Sequence, residues 1–190
     1  MFSKVESNEQ RSEWFMDKVK SLYKIFEKIK LFGVMVSGLS AIVMMAFIAV
    51  NVISRYFLAG SITGSFEFVT YYFLPLSVFP ALGYVYSSGV LPKMDLLIQK
   101  AHKKIRDILI VLLLLLELFL FSLIIYYSFH YSMTGMAEGH SFTAGVDLYP
   151  LYPVYFLVPL GFTLMTIEIL FIMTKNVIEK RVSMTMDHVQ

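Results

Sequence analysis

The sequence predicts an all-α integral membrane protein with four membrane-spanning helices and an N-terminal amphipathic helix on the membrane surface. Three observations predict this fold. Hydrophobic residues make up 57% of the 190 residues and charged residues 16%, the mean hydropathy is +0.69, and the chain contains four long apolar stretches. Such a composition is typical of proteins whose solvent is the bilayer rather than water.

The four apolar stretches are the predicted spans. They cover residues 31–54, 68–91, 108–130 and 149–174, and Glu117 and Glu168 are the only Asp, Glu, Lys or Arg within them. Each can cross about 30 Å of hydrocarbon at about 1.5 Å per residue, and only helices of this length satisfy the backbone in lipid. The predicted organisation is a cytoplasmic N-terminal segment 1–30, a membrane domain 31–175 and a cytoplasmic tail 176–190.

The distribution of basic residues predicts the orientation in the membrane. Of the 16 Lys and Arg residues, seven precede the first span, five lie between the second and third spans, and three follow the fourth. Only Arg55 lies between the first and second spans. Since Lys and Arg concentrate in cytoplasmic loops, both termini and the middle loop are predicted to be cytoplasmic, with residues 54–67 and 131–149 outside.

Residues 13–30 are predicted to form the surface helix. Apolar side chains recur there at steps of four and three, at Phe15, Val19, Leu22, Phe26 and Ile29, and lysines occupy much of the remaining circumference. Trp14 would lie at headgroup level, and Phe15, Leu22 and Phe26 would anchor the helix, so membrane lipid is a predicted partner. A solvated cytoplasmic helix and a simple extension of the first span are the alternatives.

Prolines interrupt two of the predicted spans. Pro75 and Pro80 lie in the second span, and Pro150, Pro153 and Pro159 lie in the fourth. Because proline removes a backbone donor, we expect kinks at these positions. The kinks could form a hinge or a broken-helix substrate site, or a static curvature that fits a neighbouring helix. No inverted repeat is visible in the sequence, which favours static curvature.

Two further features flank the spans. Asp95, after the second span, marks the predicted start of a short basic amphipathic helix on the cytoplasmic face. Tyr149, Tyr152 and Tyr155 open the predicted fourth span and form an aromatic belt at the outer interface.

Glu117 and Glu168 place ionisable groups within the membrane. Glu117 lies about ten residues into the third span, near the midplane, and Glu168 lies about 10 Å from the cytoplasmic face. Such a carboxyl is a candidate proton or sodium ligand, since an unpaired charge in lipid costs several kcal/mol. No intramembrane Lys, Arg, Asp or His is expected to complete a relay with them. We therefore predict that both are structural carboxyls that face protein, not transport ligands.

No motif in the sequence supports an enzyme. The absence of cysteine excludes thiolate nucleophiles and thiolate metal sites, and the four histidines offer no facing pair for haem. The chain also lacks a G-x-x-x-x-G-K phosphate loop, an H-E-x-x-H motif and a G-x-S-x-G motif. We expect no catalytic residue, no cofactor, no metal and no nucleic acid partner.

Several short motifs follow one another along residues 30–175. They are NVISRY at 51–56, Glu67, Gly89 with Asp95, PLYPVY at 150–155 and PLGF at 159–162. In order, spacing and topology they resemble the small membrane subunit, of the Q or DctQ type, of tripartite ATP-independent periplasmic (TRAP) transporters.

The chain also departs from the family pattern. Leu91 replaces the usual histidine, Ser87 and Ser88 the usual basic pair, Phe66 the usual tryptophan, and Phe68 the second of an acidic pair. Because Leu91 stands where the family usually has histidine, we infer that the function does not require the chemistry of histidine at this position.

The resemblance implies a non-catalytic scaffold in the bacterial inner membrane. Its partners would be a large permease subunit that moves substrate with sodium and a soluble periplasmic substrate-binding protein. The solute would be an organic acid of the dicarboxylate or sialic acid class. Arg55, Glu67 and Asp147 are candidates for docking the binding protein, although Arg55 could instead extend to lipid headgroups and Glu67 could cap the second span. The alternative function is a stand-alone four-span channel or small transporter that uses Glu117 and Glu168.

Overall fold

The N-terminal segment and the first span form one uninterrupted helix. The computed structural model describes the backbone of residues 2–57, 63–88 and 103–179, and the side chains of 18–57, 63–88 and 105–177. Helix α1 extends over Phe2–Phe57. At about 1.5 Å per residue it is roughly 84 Å long, far longer than the hydrocarbon core. The predicted surface helix is therefore helical but continuous with the first span, which was one of the alternatives.

The second span, α2 (Ser65–Ser87), changes helix type along its length. Its α-helical segments are Ser65–Phe68, Leu74–Val78 and Leu82–Ser87, separated by a π-helical segment at Val69–Phe73 and a 3₁₀ segment at Phe79–Ala81. Pro75 follows the π-helical segment closely, and Pro80 lies in the 3₁₀ segment. Since proline cannot donate a backbone hydrogen bond, the regular ladder is interrupted at both places.

The second half of the described chain contains two longer helices and a hairpin between them. Helix α3 extends over Lys103–Ala137. Strand β1 (Ser141–Ala144) then pairs antiparallel with strand β2 (Asp147–Pro150). Helices α4 (Tyr152–Tyr155) and α5 (Leu157–Glu179) follow. Pro153 and Pro159 lie in the first turns of α4 and α5. Backbone N–H groups in a first turn have no intrahelical acceptor, so these prolines begin helices instead of kinking one.

The hairpin was not predicted. The fourth span was expected to begin at Tyr149, but Tyr149 and Pro150 belong to β2 and the helix begins at Tyr152. The Tyr149 ring lies 4.7 Å from the Phe68 ring of α2 and 6.0 Å from the Phe142 ring of β1, measured between centroids. Packing against α2 therefore determines the conformation of this part of the predicted aromatic belt.

Helices α1 and α5 lie close to the 3₁₀ segment of α2 on two sides. A Cβ atom at Gly33 of α1 would lie 2.2 Å from the Pro80 carbonyl oxygen, and one at Gly161 of α5 would lie 2.7 Å from the Phe79 carbonyl oxygen. Only glycine permits backbones to approach this closely. The interrupted part of α2 is therefore packed directly between two neighbouring helices.

Two serines of α1 supply hydrogen bonds to α2 near its interruptions. The Ser40 hydroxyl donates to the Phe73 carbonyl at 3.1 Å, and the Ser37 hydroxyl donates to the Leu76 carbonyl at 3.5 Å. The Leu76 carbonyl lies four residues before Pro80, so proline leaves it without its helical donor. Ser37 thus supplies a donor to the carbonyl that the break at Pro80 leaves without one, and Ser40 adds a second hydrogen bond between α1 and α2.

The apolar core lies where α2, α3 and α5 meet. Its buried members are Tyr86, Ile110, Leu114, Met165, Ile169 and Ile172. Within the described residues, four helices are long and apolar enough to cross a membrane: Lys18–Phe57, Ser65–Ser87, Ile105–Ala137 and Tyr152–Val177. The predicted all-α membrane fold with four spans is confirmed.

The hairpin marks one end of the bundle. Successive spans run in opposite directions, and β1 and β2 pack on the first turns of α2. The C-terminus of α1, the N-terminus of α2, the C-terminus of α3 and the N-terminus of α4 therefore lie together. We call this the hairpin end and the opposite one the tail end.

Candidate functional site

Lys30 of α1 and Glu168 of α5 form an ion pair inside the bundle. The Lys30 Nζ and Glu168 Oε2 atoms are 2.7 Å apart, and the two side chains are 2% and 0% exposed. The Tyr23 hydroxyl donates to Glu168 Oε1 at 2.9 Å, and the Lys30 ammonium donates to the Tyr23 hydroxyl at 3.1 Å. Both carboxylate oxygens therefore accept hydrogen bonds, and the charges cancel within the cluster.

Aromatic rings enclose the Lys30 ammonium. Its Nζ atom lies 4.7 Å from the centroid of the Tyr23 ring and 5.2 Å from that of Phe26. Both rings also contact Phe171 of α5, with centroid separations of 5.4 and 5.6 Å. Ring faces attract a desolvated ammonium, so they offset part of the hydration that Lys30 loses on burial. The cluster combines a charge pair with apolar packing between α1 and α5.

The expectation that Glu168 has no intramembrane basic partner is wrong. Lys30 was assigned to the cytoplasmic segment because it is the last charge before the first uncharged stretch. In the structure helix α1 continues through Lys30 without a break, and Lys30 lies opposite Glu168 on an antiparallel helix. Lys30 borders the first uncharged stretch, and the sequence alone does not show that a carboxylate on another helix neutralises it.

A signal for Lys30 was present in the sequence. The side chains of α1 that face the bundle recur at alternating steps of three and four residues. In this part of α1 they are Tyr23, Phe26, Lys30, Gly33, Ser37 and Ser40. Small and polar residues at such a spacing are typical of helix interfaces within membranes, and Lys30 falls in the same series.

Glu117 of α3 has a different environment. The Tyr86 hydroxyl of α2 donates to Glu117 Oε2 at 2.5 Å. The Tyr86 side chain is buried, and its ring packs edge to face against Phe121 with centroids 6.4 Å apart. Glu117 itself is partly exposed, and no described basic side chain forms an ion pair with it. A tyrosine therefore contacts each of these two carboxyls, but of the two only Glu168 contacts a cation among the described residues.

The three candidate docking residues lie at the hairpin end. Arg55 is exposed in the last turn of α1, Glu67 is partly exposed in the first turn of α2, and Asp147 is exposed at the start of β2. No ion pair among the described residues includes any of the three. A basic residue at a helix C-terminus and an acidic one at an N-terminus also complement the helix dipoles, which is the competing structural role.

An aromatic cluster missed in the sequence fixes the hairpin on α2. The Phe68 ring lies 5.7 Å from the Phe142 ring, the Tyr71 ring lies 5.0 Å from it, and the Tyr72 hydroxyl donates to the Pro150 carbonyl. At the turn, Gly145 has a φ of +70°, and Val146 is 96% exposed. The hairpin therefore holds Asp147 at a defined position beside an exposed apolar residue.

The predicted surface-helix anchors have different environments. Leu22 is 58% exposed, whereas Phe26 is 6% exposed and packs on Phe171. Phe26 therefore fastens α1 to α5 instead of entering lipid, because it lies on the same helix face as Lys30. The side chains of Trp14 and Phe15, and the whole of Asp95, lie outside the described residues.

Fold and site together define a multi-pass membrane protein in which one buried charge neutralises another. Residues 44–178, more than half of the chain, match the family model of tripartite ATP-independent periplasmic transporters, DctQ component. The chain therefore belongs to this family, the small permease component of TRAP transporters, and is a multi-pass protein of the inner membrane. The family predicted from the motifs is confirmed. Comparisons with curated proteins and with solved structures gave no match.

Proposed function

We propose that this chain is a non-catalytic scaffold that holds the large permease subunit of a TRAP transporter in the membrane. The large subunit moves an organic acid together with sodium, and a periplasmic binding protein delivers the acid. The observation that supports a structural role is the ion pair between Lys30 and Glu168, whose side chains are 2% and 0% exposed. A sodium ion could bind Glu168 only after displacing the Lys30 ammonium, so the pair favours packing over ion transport.

Reconstitution tests this proposal. The chain, the large subunit and the binding protein are purified and combined in liposomes under an inward sodium gradient. Uptake of a radiolabelled dicarboxylate or sialic acid is then measured for the full set and for each omission. We expect uptake only when all three proteins are present, and no uptake by this chain alone.

The alternative function is a stand-alone channel or transporter that uses Glu117 and Glu168. It predicts ion or solute flux through liposomes that contain this chain alone, and loss of that flux in Glu117→Gln. Such a result would replace the scaffold proposal, because a scaffold has no transport activity without its partner.

We further propose that both termini are cytoplasmic, which the distribution of Lys and Arg supports. The chain contains no cysteine, so single cysteines can be labelled selectively. Ser141 at the hairpin end and Ser88 at the tail end are both exposed. In intact cells, an impermeant maleimide should label Ser141→Cys and leave Ser88→Cys unlabelled. The reverse pattern would invert the topology.

The hairpin end is the proposed docking face for the binding protein. Arg55, Glu67 and Asp147 lie there with exposed or partly exposed side chains. At a polar, transient interface, charge reversal mainly lowers the association rate and changes its salt dependence. Arg55→Glu and Asp147→Lys should therefore lower binding-protein-dependent uptake at low salt, with both membrane subunits still assembled.

Glu27→Lys is the matched control for these reversals, since Glu27 is exposed at the tail end. It should leave uptake unchanged. If Arg55→Glu and Glu67→Lys also leave uptake unchanged at low salt, these residues serve lipid contact and helix capping instead.

A further inference from the structure

Glu117 is incompletely enclosed by its own chain. One oxygen, Oε2, accepts a hydrogen bond from Tyr86, and the side chain remains partly exposed on the flank of α3. Leu120 and Ile124, which follow on the same side of the helix, are 45% and 36% exposed. An open strip that contains a carboxyl therefore extends along α3 beside α2.

The position of this strip makes its exposure to lipid unfavourable. Glu117 lies nine residues after Ile108, where the apolar stretch of the third span begins, so it is about 14 Å from that end of the span. This depth is well inside the hydrocarbon region. Hydrocarbon offers no hydrogen-bond donor, and carboxyls at such depth are expected to face protein or a polar cavity.

We propose that the large permease subunit packs on this strip, formed by Glu117, Leu120 and Ile124 of α3, and places a hydrogen-bond donor against Glu117. The donor would be a basic, hydroxyl or amide side chain on a transmembrane helix. The proposal rests on the proposed function, because it assigns the surface through which the scaffold holds its partner.

A second copy of this chain fits the strip poorly. Two copies related by a twofold axis through the strip would place Glu117 against the Glu117 of the other copy, where two carboxylates would repel each other and only a protonated one could donate a hydrogen bond. The large subunit is a different protein and can supply the complementary group. Membership in a multicomponent transporter family provides a partner of this kind.

Site-specific photocross-linking tests which molecule covers the strip. A photoreactive amino acid is placed at Leu120 or, as a matched control, at Leu115 in the intact complex. The two leucines are 45% and 47% exposed, yet lie about 140° apart around the helix. We expect a cross-link from position 120 to the large subunit and at least fivefold less from position 115. A cross-link between two copies of this chain, or none at position 120, would overturn the proposal.

Substitutions test whether the carboxyl itself contributes. Glu117→Leu should lower the amount of large subunit recovered with this chain roughly tenfold, the effect of losing a hydrogen bond to a charged group. Glu117→Gln retains an acceptor and should lose much less. Tyr86→Phe removes only the internal donor, so recovery should stay near the wild-type level. If Tyr86→Phe reproduces the loss seen in Glu117→Leu, Glu117 acts through internal packing and the proposal fails.

The wild-type complex separates this inference from the proposed function. If the wild-type chain does not recover a large subunit at all, the scaffold function fails and the inference fails with it. If the large subunit is recovered but cross-links only to other faces, the scaffold function stands and only the assignment of this surface is wrong.

Discussion

The two carboxyls within the predicted spans, Glu168 and Glu117, have different environments on the two sides of the bundle. On the side formed by α1 and α5, Glu168 is fully buried, paired with Lys30 and hydrogen-bonded by Tyr23. On the side formed by α2 and α3, Glu117 is partly exposed and has a hydrogen bond from Tyr86 but no described cation. The first side is electrostatically complete within the chain. The second is not complete among the described residues, and this difference orders the effects of substitution.

The largest expected effect is the loss of the cation on the complete side. Lys30→Met leaves Glu168 buried without its counter-ion, and removing one partner of a buried pair typically costs about 3–5 kcal/mol. Glu168→Gln should be costly for the same reason, because Lys30 then lacks its anion. Equilibrium unfolding of the purified chain in mixed micelles measures both changes.

Two controls make this measurement specific to the ion pair. Lys28→Met changes an exposed lysine on the same helix and should have little effect. The double variant Lys30→Met with Glu168→Gln removes both charges, so it should be more stable than either single variant. If Lys30→Met is no less stable than Lys28→Met, the buried pair does not hold α1 to α5.

The second prediction concerns the close contact between α1 and α2. In Gly33→Ala the new methyl group would lie 2.2 Å from the Pro80 carbonyl oxygen, so the helices must separate, and we expect a loss of about 1–3 kcal/mol. Gly38, on the same helix, has no atom within 4 Å of a built Cβ. Gly38→Ala should therefore be neutral or slightly stabilising, since alanine favours helix. Equal losses in the same unfolding assay would contradict the close packing.

Hydropathy predicted the four spans because the apolar length of a segment is a property of that segment alone. The four spans and the family followed from features that lie within single segments, such as uncharged stretches and short motifs. Lys30 was missed for the opposite reason. Its burial depends on a carboxylate 138 residues later in the chain, and sequence periodicity showed only that Lys30 shares a face with small residues.

The hairpin was missed because its stability depends on tertiary packing. Residues 149–155 are rich in tyrosine and proline and are compatible with an interfacial helix start. The contacts of Tyr149 and Phe142 with Phe68 of α2 determine the strand instead, and no local pattern records them. Tertiary contacts also determine the environments of Glu117 and Glu168. The sequence therefore predicted that both lie within the spans but could not distinguish their partners.

A third prediction sharpens the contrast between the two carboxyls. Glu117→Gln removes the charge but keeps a carbonyl oxygen that can accept from Tyr86, so the isolated chain should change in stability by about 1 kcal/mol or less. Uptake by the assembled transporter should also survive. A loss of stability as large as that in Lys30→Met would show that Glu117, like Glu168, has its essential partners within this chain. A loss of sodium-coupled uptake in a correctly assembled complex would instead make Glu117 a transport ligand.

The smallest effect is expected where α1 satisfies the interrupted backbone of α2. The Ser40 hydroxyl donates to the Phe73 carbonyl at 3.1 Å, and hydrogen bonds between helices in membranes contribute on average about 0.6 kcal/mol. Ser40→Ala should therefore cost about this amount. Ser37→Ala should cost less, because its contact with the Leu76 carbonyl is longer, at 3.5 Å. The two variants differ only in which carbonyl loses its donor, so each is the control for the other in the unfolding assay. A cost for Ser40→Ala comparable with that of Gly33→Ala would mean that hydrogen bonds contribute as much as close backbone packing to holding α1 against α2.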